Sequence, residues 1–169
     1  MKRLLAFVPL AALLALAAAA VFVLSRGDRG DGFVSPMTGR PAPALVLAGL
    51  EGAPVETARF AGRPYVINFF ASWCAPCEIE HPLLTEAQQD GAVILGVGYK
   101  DEAADIRGFL GRLGNPYSAV ALDPDGTAAI ELGVRKMPET FVVDASGVIV
   151  AHRAGPIDAA FLREALQKE

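Results

Sequence analysis

The chain predicts an α/β domain with a central mixed β-sheet and helices on both faces, preceded by a small β-hairpin and, before that, a membrane-crossing helix. Three observations carry this. Short apolar runs of strand length alternate with stretches of helical periodicity from residue 65 onwards, the pattern of a sheet covered by helices. The only two cysteines, Cys74 and Cys77, lie three residues apart where one such run meets a helix. Residues 4–24 form a run of 21 uncharged, mostly apolar residues behind Met1-Lys2-Arg3.

At ~1.5 Å per helical residue that run spans a hydrocarbon core of about 30 Å, so residues 1–24 predict a membrane anchor. The basic end stays in the cytoplasm, which places everything after Leu24 outside it. A cleaved signal peptide is the competing expectation, because Ala15-Leu16-Ala17 has the small-x-small form of a cleavage site; against it, the apolar run continues seven residues further. Residues 25–40 carry Gly27, Gly30, Gly32, Gly39 and Pro36 with scattered charges and predict a flexible tether, leaving residues 41–169 as one domain. A domain of that size buries a sufficient core without disulfide staples. Without Lys2 and Arg3 the balance is 13 basic against 19 acidic residues, no basic patch appears, and no nucleic-acid partner is expected.

Within the domain, residues 45–50 and 54–57 flank a Glu51-Gly52 turn and predict the hairpin. Residues 65–70 are a buried strand that delivers the cysteines. A helix over residues 74–89 follows, interrupted by Pro82, which removes the donor for the Glu78 carbonyl and should kink it. Then come a strand over 92–97, a helix over 102–113, a strand over 119–122, and Asp123-Pro124-Asp125-Gly126 opening a brief helix. Strands over 141–143 and 148–152, split by Ala145-Ser146-Gly147, and a helix over 157–166 close the chain.

A bridge between Cys74 and Cys77 closes almost no loop, and the stabilisation from a disulfide grows with the length of chain it closes. The pair is therefore suited to opening and closing. Cys74, at the start of the helix, sits near unpaired N–H groups and the positive dipole end, which favour its thiolate and make it the exposed attacking nucleophile. Cys77, one turn on and facing inward, resolves the mixed disulfide. Pro76 suits the first helical turn, where its missing N–H costs nothing. Glu80 follows Cys77 by three residues on the same side of the helix and could take the proton of the buried thiol.

Trp73-Cys74-Ala75-Pro76-Cys77 resembles the thioredoxin active-site motif, and an ordered set of flanking pieces resembles the membrane-anchored thioredoxins of cytochrome c biogenesis, the CcmG/DsbE type. Those pieces are Ser35-Pro36 with Gly39-Arg40-Pro41-Ala42-Pro43, the run from Asn68 to Cys77, Glu80-His81-Pro82, Tyr99-Lys100-Asp101, Gly114-Asn115-Pro116-Tyr117 and Pro138-Glu139-Thr140-Phe141. The resemblance implies a thioredoxin-like fold and a single-pass inner-membrane protein whose periplasmic domain keeps the Cys-x-x-Cys-His segments of apocytochrome c reduced for haem attachment. It also implies a transmembrane electron donor of the CcdA or DsbD type, and no cofactor beyond the Cys74–Cys77 disulfide. By position, Pro138 would be a cis proline facing that disulfide, with Trp73, Met137 and Pro138 meeting the substrate and the Met137 backbone pairing with an extended strand. Glu80 and Glu139 would be the acidic residues around the pair. Asn68 stands where general thioredoxins carry a buried aspartate, which moves proton handling to Glu80 and Glu139. Three departures stand out: Phe70 where the family more often has Trp, Gly98 where Asn often precedes Tyr99, and Lys136 in place of a common Gly, which alters the charge of the substrate groove and could bring an ammonium to the Cys74 thiolate.

Other functions fit parts of the same sequence. A reductant of other extracytoplasmic proteins differs only in the groove. A copper or zinc carrier would use Cys74, Cys77 and His81 on one helical face with His152 as a fourth ligand, since such sites want four converging ligands; both histidines fit packing or surface positions better, and no metal is expected. Covalent haem is excluded because Glu78, not His, follows Cys77. A peroxidase on the same fold would need Pro in place of Ile67 and Thr or Ser in place of Ala71.

Overall fold

The computed structural model describes residues 8–26 and 36–166 as two separate units. The first is one helix, α1 (Val8–Arg26), with Leu13, Leu14, Leu16 and Val21 exposed. Residues 4–7 of the expected span lie outside the described residues, and among the described residues no helix is long and apolar enough to cross a membrane.

The second unit is built on seven strands: β1 (Val46–Gly49), β2 (Val55–Glu56), β3 (Tyr65–Phe70), β4 (Ile94–Tyr99), β5 (Ala119–Asp123), β6 (Glu139–Val143) and β7 (Ile149–Ala154). They form one mixed sheet in the order β2-β1-β5-β4-β3-β6-β7. Strands β3, β4 and β5 run parallel, while β6, β7, β1 and β2 pair antiparallel. The helices are α2 (Ala75–Gln89), α3 (Ala103–Leu113), α4 (Thr127–Leu132) and α5 (Ala159–Leu166), with a 3₁₀ turn over Thr57–Phe60.

Every residue of β3 is buried, so its alternation feeds both faces. Val66 and Phe70 join Leu84 of α2, Ile106 and Phe109 of α3 and Leu162 of α5 on one side; Tyr65, Ile67 and Phe69 join Phe60, Ala128 and Leu132 on the other. Each such large side chain contributes roughly 1.5–3 kcal/mol on burial. The two-faced α/β sheet and the hairpin are as expected.

The differences lie at the joins. Strand β4 starts at Ile94 and runs through Gly96 and Gly98, two residues longer at its end than its apolar run. Both glycines make room for neighbours: a Cβ at Gly96 would stand 2.7 Å from the Tyr117 ring, and one at Gly98 would run into Ile106 Cδ1. The 3₁₀ turn was not foreseen; it is tied down by Thr57, whose hydroxyl accepts from Leu45 N at 2.9 Å and donates to Pro43 O at 3.1 Å. Residues 36–40 of the expected tether form a turn on the sheet edge, where Gly39 N donates to Ile149 O at 2.8 Å and Ile149 N to Arg40 O at 2.9 Å. Helix α5 begins at Ala159, two residues late, because Asp158 caps it, its carboxylate accepting from Phe161 N at 2.7 Å; Ile157 N, just before the cap, donates to Glu80.

Candidate active site

Strand β3 ends at Phe70, and the chain turns through Ala71, Ser72 and Trp73 into α2. Two features hold that turn. Asp101, just past β4, accepts from Ser72 N at 2.6 Å and Ser72 Oγ at 3.1 Å and caps Glu102 N at 2.9 Å. Cys74 is the N-cap of α2, with Pro76 in the first turn, and its sulfur accepts from Cys77 N at 3.2 Å. That N–H belongs to the first turn of the helix and is shared with Cys74 O at 3.0 Å, so the sulfur lies at the positive dipole end, where a thiolate is favoured. Cys74 and Cys77 are joined in a disulfide.

Contrary to the expectation of an exposed nucleophile, Cys74 is 4% exposed and Cys77 2%. Trp73, Ala75 and Pro76 around the pair reach solvent, Trp73 58% exposed with its indole N–H leaning on Lys100 O at 3.4 Å. Beside it opens a groove of about 510 Å³ whose floor is Trp73, Cys74 and Pro76 and whose far wall is the loop from Val134 to Met137. The Met137–Pro138 peptide is cis, as the resemblance implies. Pro138 is buried, and the Met137 backbone makes no hydrogen bond among the described residues. Lys136 lines the groove, and its ammonium end lies over Gly155, where a Cβ would stand 3.2 Å from Nζ.

The two acidic residues differ in their surroundings. Glu80, 1% exposed, shares the buried stripe of α2 with Cys77, His81 and Leu84. Burial pushes its carboxyl up to about 7, against opposing hydrogen bonds from Ile157 N at 2.9 Å and Asn68 Nδ2 at 2.8 Å. Asn68 is itself oriented by its neighbours: Tyr117 OH donates to its Oδ1 at 2.9 Å, which turns its amide nitrogen toward Glu80 and Thr140 Oγ1. Glu139 is fully buried, yet its carboxyl is held below the usual range: burial would raise it, but His152 Nε2 at 2.6 Å and the N–H groups of Arg135 at 2.9 Å and Lys136 at 3.2 Å prevail. A carboxyl poised near neutrality can exchange a proton; one locked as an anion serves as an anchor. Of the two, Glu80 is the carboxyl near neutrality and Glu139 the one held as an anion.

His81 and His152 are both committed. His81 Nε2 donates to Gly114 O at 3.0 Å while its ring packs edge-on against Phe109 and Tyr117, and burial lowers its basicity. Among the described residues no group of three or more His, Cys, Asp or Glu is placed to hold a metal ion, so the carrier reading finds no converging ligand set. Missed from the sequence were Asp101, Tyr117, Thr140 and the Glu139–His152 pair. The sequence signal for Asp101 and Tyr117 is their place at the ends of two of the ordered pieces, Tyr99-Lys100-Asp101 and Gly114-Asn115-Pro116-Tyr117.

Residues 37–165 match the redoxin family. The chain is 41% identical to the thiol:disulfide interchange protein DsbE of Pseudomonas fluorescens, over 98% of this chain and 93% of that protein. It is 38% identical to the thiol:disulfide interchange protein HelX of Rhodobacter capsulatus, over 93% of this chain and 90% of that protein. Among solved structures it is similar to a thiol:disulfide interchange protein of the thioredoxin family from Chlorobium tepidum, with a TM-score of 0.64 and 27% identity, covering 75% of this chain and 93% of that one.

Proposed function

Because the chain belongs to the redoxin family, among its thiol:disulfide interchange proteins of the DsbE type, we propose that it acts outside the cytoplasm as the reductant of disulfides in apocytochrome c before haem attachment. The observation that carries a reducing exchange is the cysteine pair at the start of α2, set between an open groove and a buried carboxyl poised near neutrality. What supports the particular substrate is the ordered set of motifs from Ser35 to Phe141 that resembles the thioredoxins of cytochrome c biogenesis.

The steps follow from position. A substrate segment lies along the groove, pairing with the free Met137 backbone and covering Trp73 and Pro138. The Cys74 thiolate attacks one sulfur of the substrate disulfide; the S–S bond breaks, and the other substrate sulfur leaves as a thiolate. Glu80 takes the Cys77 proton, the Cys77 thiolate attacks Cys74 Sγ, and the second substrate thiol is released. The Cys74–Cys77 disulfide that remains is opened again by a dithiol donor of the CcdA or DsbD type. Cys74, Cys77 and Glu80 carry the chemistry; Glu139 holds the loop that presents Met137 and Pro138.

Trapping tests the substrate. With Cys77→Ala the mixed disulfide at Cys74 cannot be resolved, and cytochrome c precursors should accumulate in the covalent adducts recovered from cells. Adducts made only of other extracytoplasmic proteins would make the chain a general reductant instead.

We place the domain on the outer side of the inner membrane, held by residues 4–24. Such an anchor is retained by burial rather than charge, so the full chain should stay in the membrane fraction through high-salt and carbonate washes. Release as a soluble species trimmed near Ala17 would show a cleaved signal peptide.

A further inference from the structure

We infer that His152 is a positioning residue for the substrate groove, acting through Glu139 and felt by disulfides carried on an extended peptide but not by small disulfides. This rests on the reductase reading above and adds to it what fixes the groove wall.

That wall, the loop from Val134 to Pro138, is fastened from inside. Val134 N donates to Ala129 O at 2.8 Å, and Pro138 O accepts from Gly155 N at 2.8 Å. Between those ends, two consecutive N–H groups, of Arg135 and Lys136, converge on one atom, Glu139 Oε2, at 2.9 and 3.2 Å. The position of the wall therefore depends on how the Glu139 carboxylate is turned. A glutamate's terminal torsion is soft and does not choose its own angle. Its other oxygen, Oε1, is held at 2.6 Å by His152 Nε2, and both side chains are almost wholly out of solvent, 2% and 1% exposed.

His152 has no other polar task. It sits on β7 directly across from Phe141 on β6, with the two rings 4.6 Å apart, and its Nδ1 is buried with no hydrogen-bond partner among the described residues. Because a carboxylate oxygen only accepts, Nε2 carries the proton of this bond. With that donor removed, Glu139 is left buried with one oxygen unmatched, and a buried unpaired carboxylate either neutralises or turns away. Either response loosens the Arg135 and Lys136 amides and shifts Met137.

The effect is selective because the two sides of the groove are held independently. Cys74 is placed by the start of α2 and by the Asp101 tie to Ser72, neither of which touches Glu139. A small disulfide needs only to reach the sulfur. An extended peptide must also pair in register with Met137, and a displacement of the order of 1 Å at such a contact is costly.

The test uses the pre-reduced full chain and its His152→Met and His152→Gln variants, all checked by thermal melting, in single-turnover reduction followed by fluorescence of Trp73, the only tryptophan. One substrate is a peptide with an intrachain disulfide across Cys-x-x-Cys-His; the other is hydroxyethyl disulfide. For His152→Met the half-saturating peptide concentration should rise about tenfold, while the rate with hydroxyethyl disulfide changes less than about twofold. His152→Gln, which keeps an N–H donor, should recover most of the loss. Amide exchange supplies a second readout: the Arg135 and Lys136 N–H groups should exchange faster in His152→Met than in the parent chain, while Cys77 N–H does not. Equal slowing toward both disulfides, or unchanged peptide saturation with unchanged amide exchange, overturns the inference. A parent chain that reduces neither substrate overturns the reductase reading instead.

Discussion

With Cys74 replaced by Ala, the reduced protein is expected to fall to the uncatalysed rate of disulfide reduction, whereas Cys77→Ala completes one attack and stops with substrate bound. The asymmetry follows from where the two sulfurs sit. Cys74 is the N-cap, and its sulfur takes the Cys77 N–H at 3.2 Å, so negative charge on it meets a donor and the helix dipole. Cys77 lies within the buried stripe of α2 beside Leu84 and Glu80, where a thiolate has no such support. Alkylation of the reduced chain against pH measures this directly: Cys74 should react at acidic pH, where Cys77 does not. Equal reactivity of the two thiols at every pH would remove the division of roles. Because both sulfurs are nearly covered in the disulfide form, the approach of a partner is confined to the side left open by Trp73 and the groove.

What was legible in the sequence was whatever is written in neighbouring residues. The start of α2, Pro76 within its first turn and the spacing of Cys77 and Glu80 on one helical face are local, and each appears as expected. The pairing of β1 with β2 around Glu51-Gly52 is equally local. The contacts that tune the site join residues far apart in the chain: Ser72 to Asp101, Asn68 to Tyr117, Glu80 to Ile157. No periodicity or spacing announces them. Tyr117 illustrates the cause. Its ring reaches Asn68 only because Gly96, a poor strand former by itself, lacks a Cβ in its path. Glu139 shows the same limit: an acidic residue beside the groove suggests proton transfer, while the fold gives its carboxyl His152 and two backbone amides as partners that hold it below the usual range.

Glu80→Gln should slow resolution of the mixed disulfide by about 10²-fold or more while leaving its formation nearly unchanged. Cys74 attacks as a thiolate already supported by the helix start, so the first step asks nothing of Glu80. Cys77 must lose a proton in the interior, and a carboxyl raised to about 7 is close to half ionised near neutral pH, able to accept that proton where an amide cannot. The same elevation has a consequence for stability whose sign is opposite to that of a salt-bridged carboxylate. Between its ordinary value of 4.5 and about 7, the folded oxidised chain binds a proton on Glu80 that the unfolded chain has released. Stability contributed by the protonated carboxyl is thus complete below 4.5 and is lost as pH rises toward 7, by roughly 3 kcal/mol at most. Melting of the oxidised protein should accordingly drop between pH 5 and 8, and the drop should be much smaller in Glu80→Gln, whose amide does not titrate. Stopped-flow reduction of a model disulfide at several pH values separates the two chemical steps. Equal slowing of both, together with an unchanged pH dependence of melting, would reduce Glu80 to a packed helix residue with no part in the exchange.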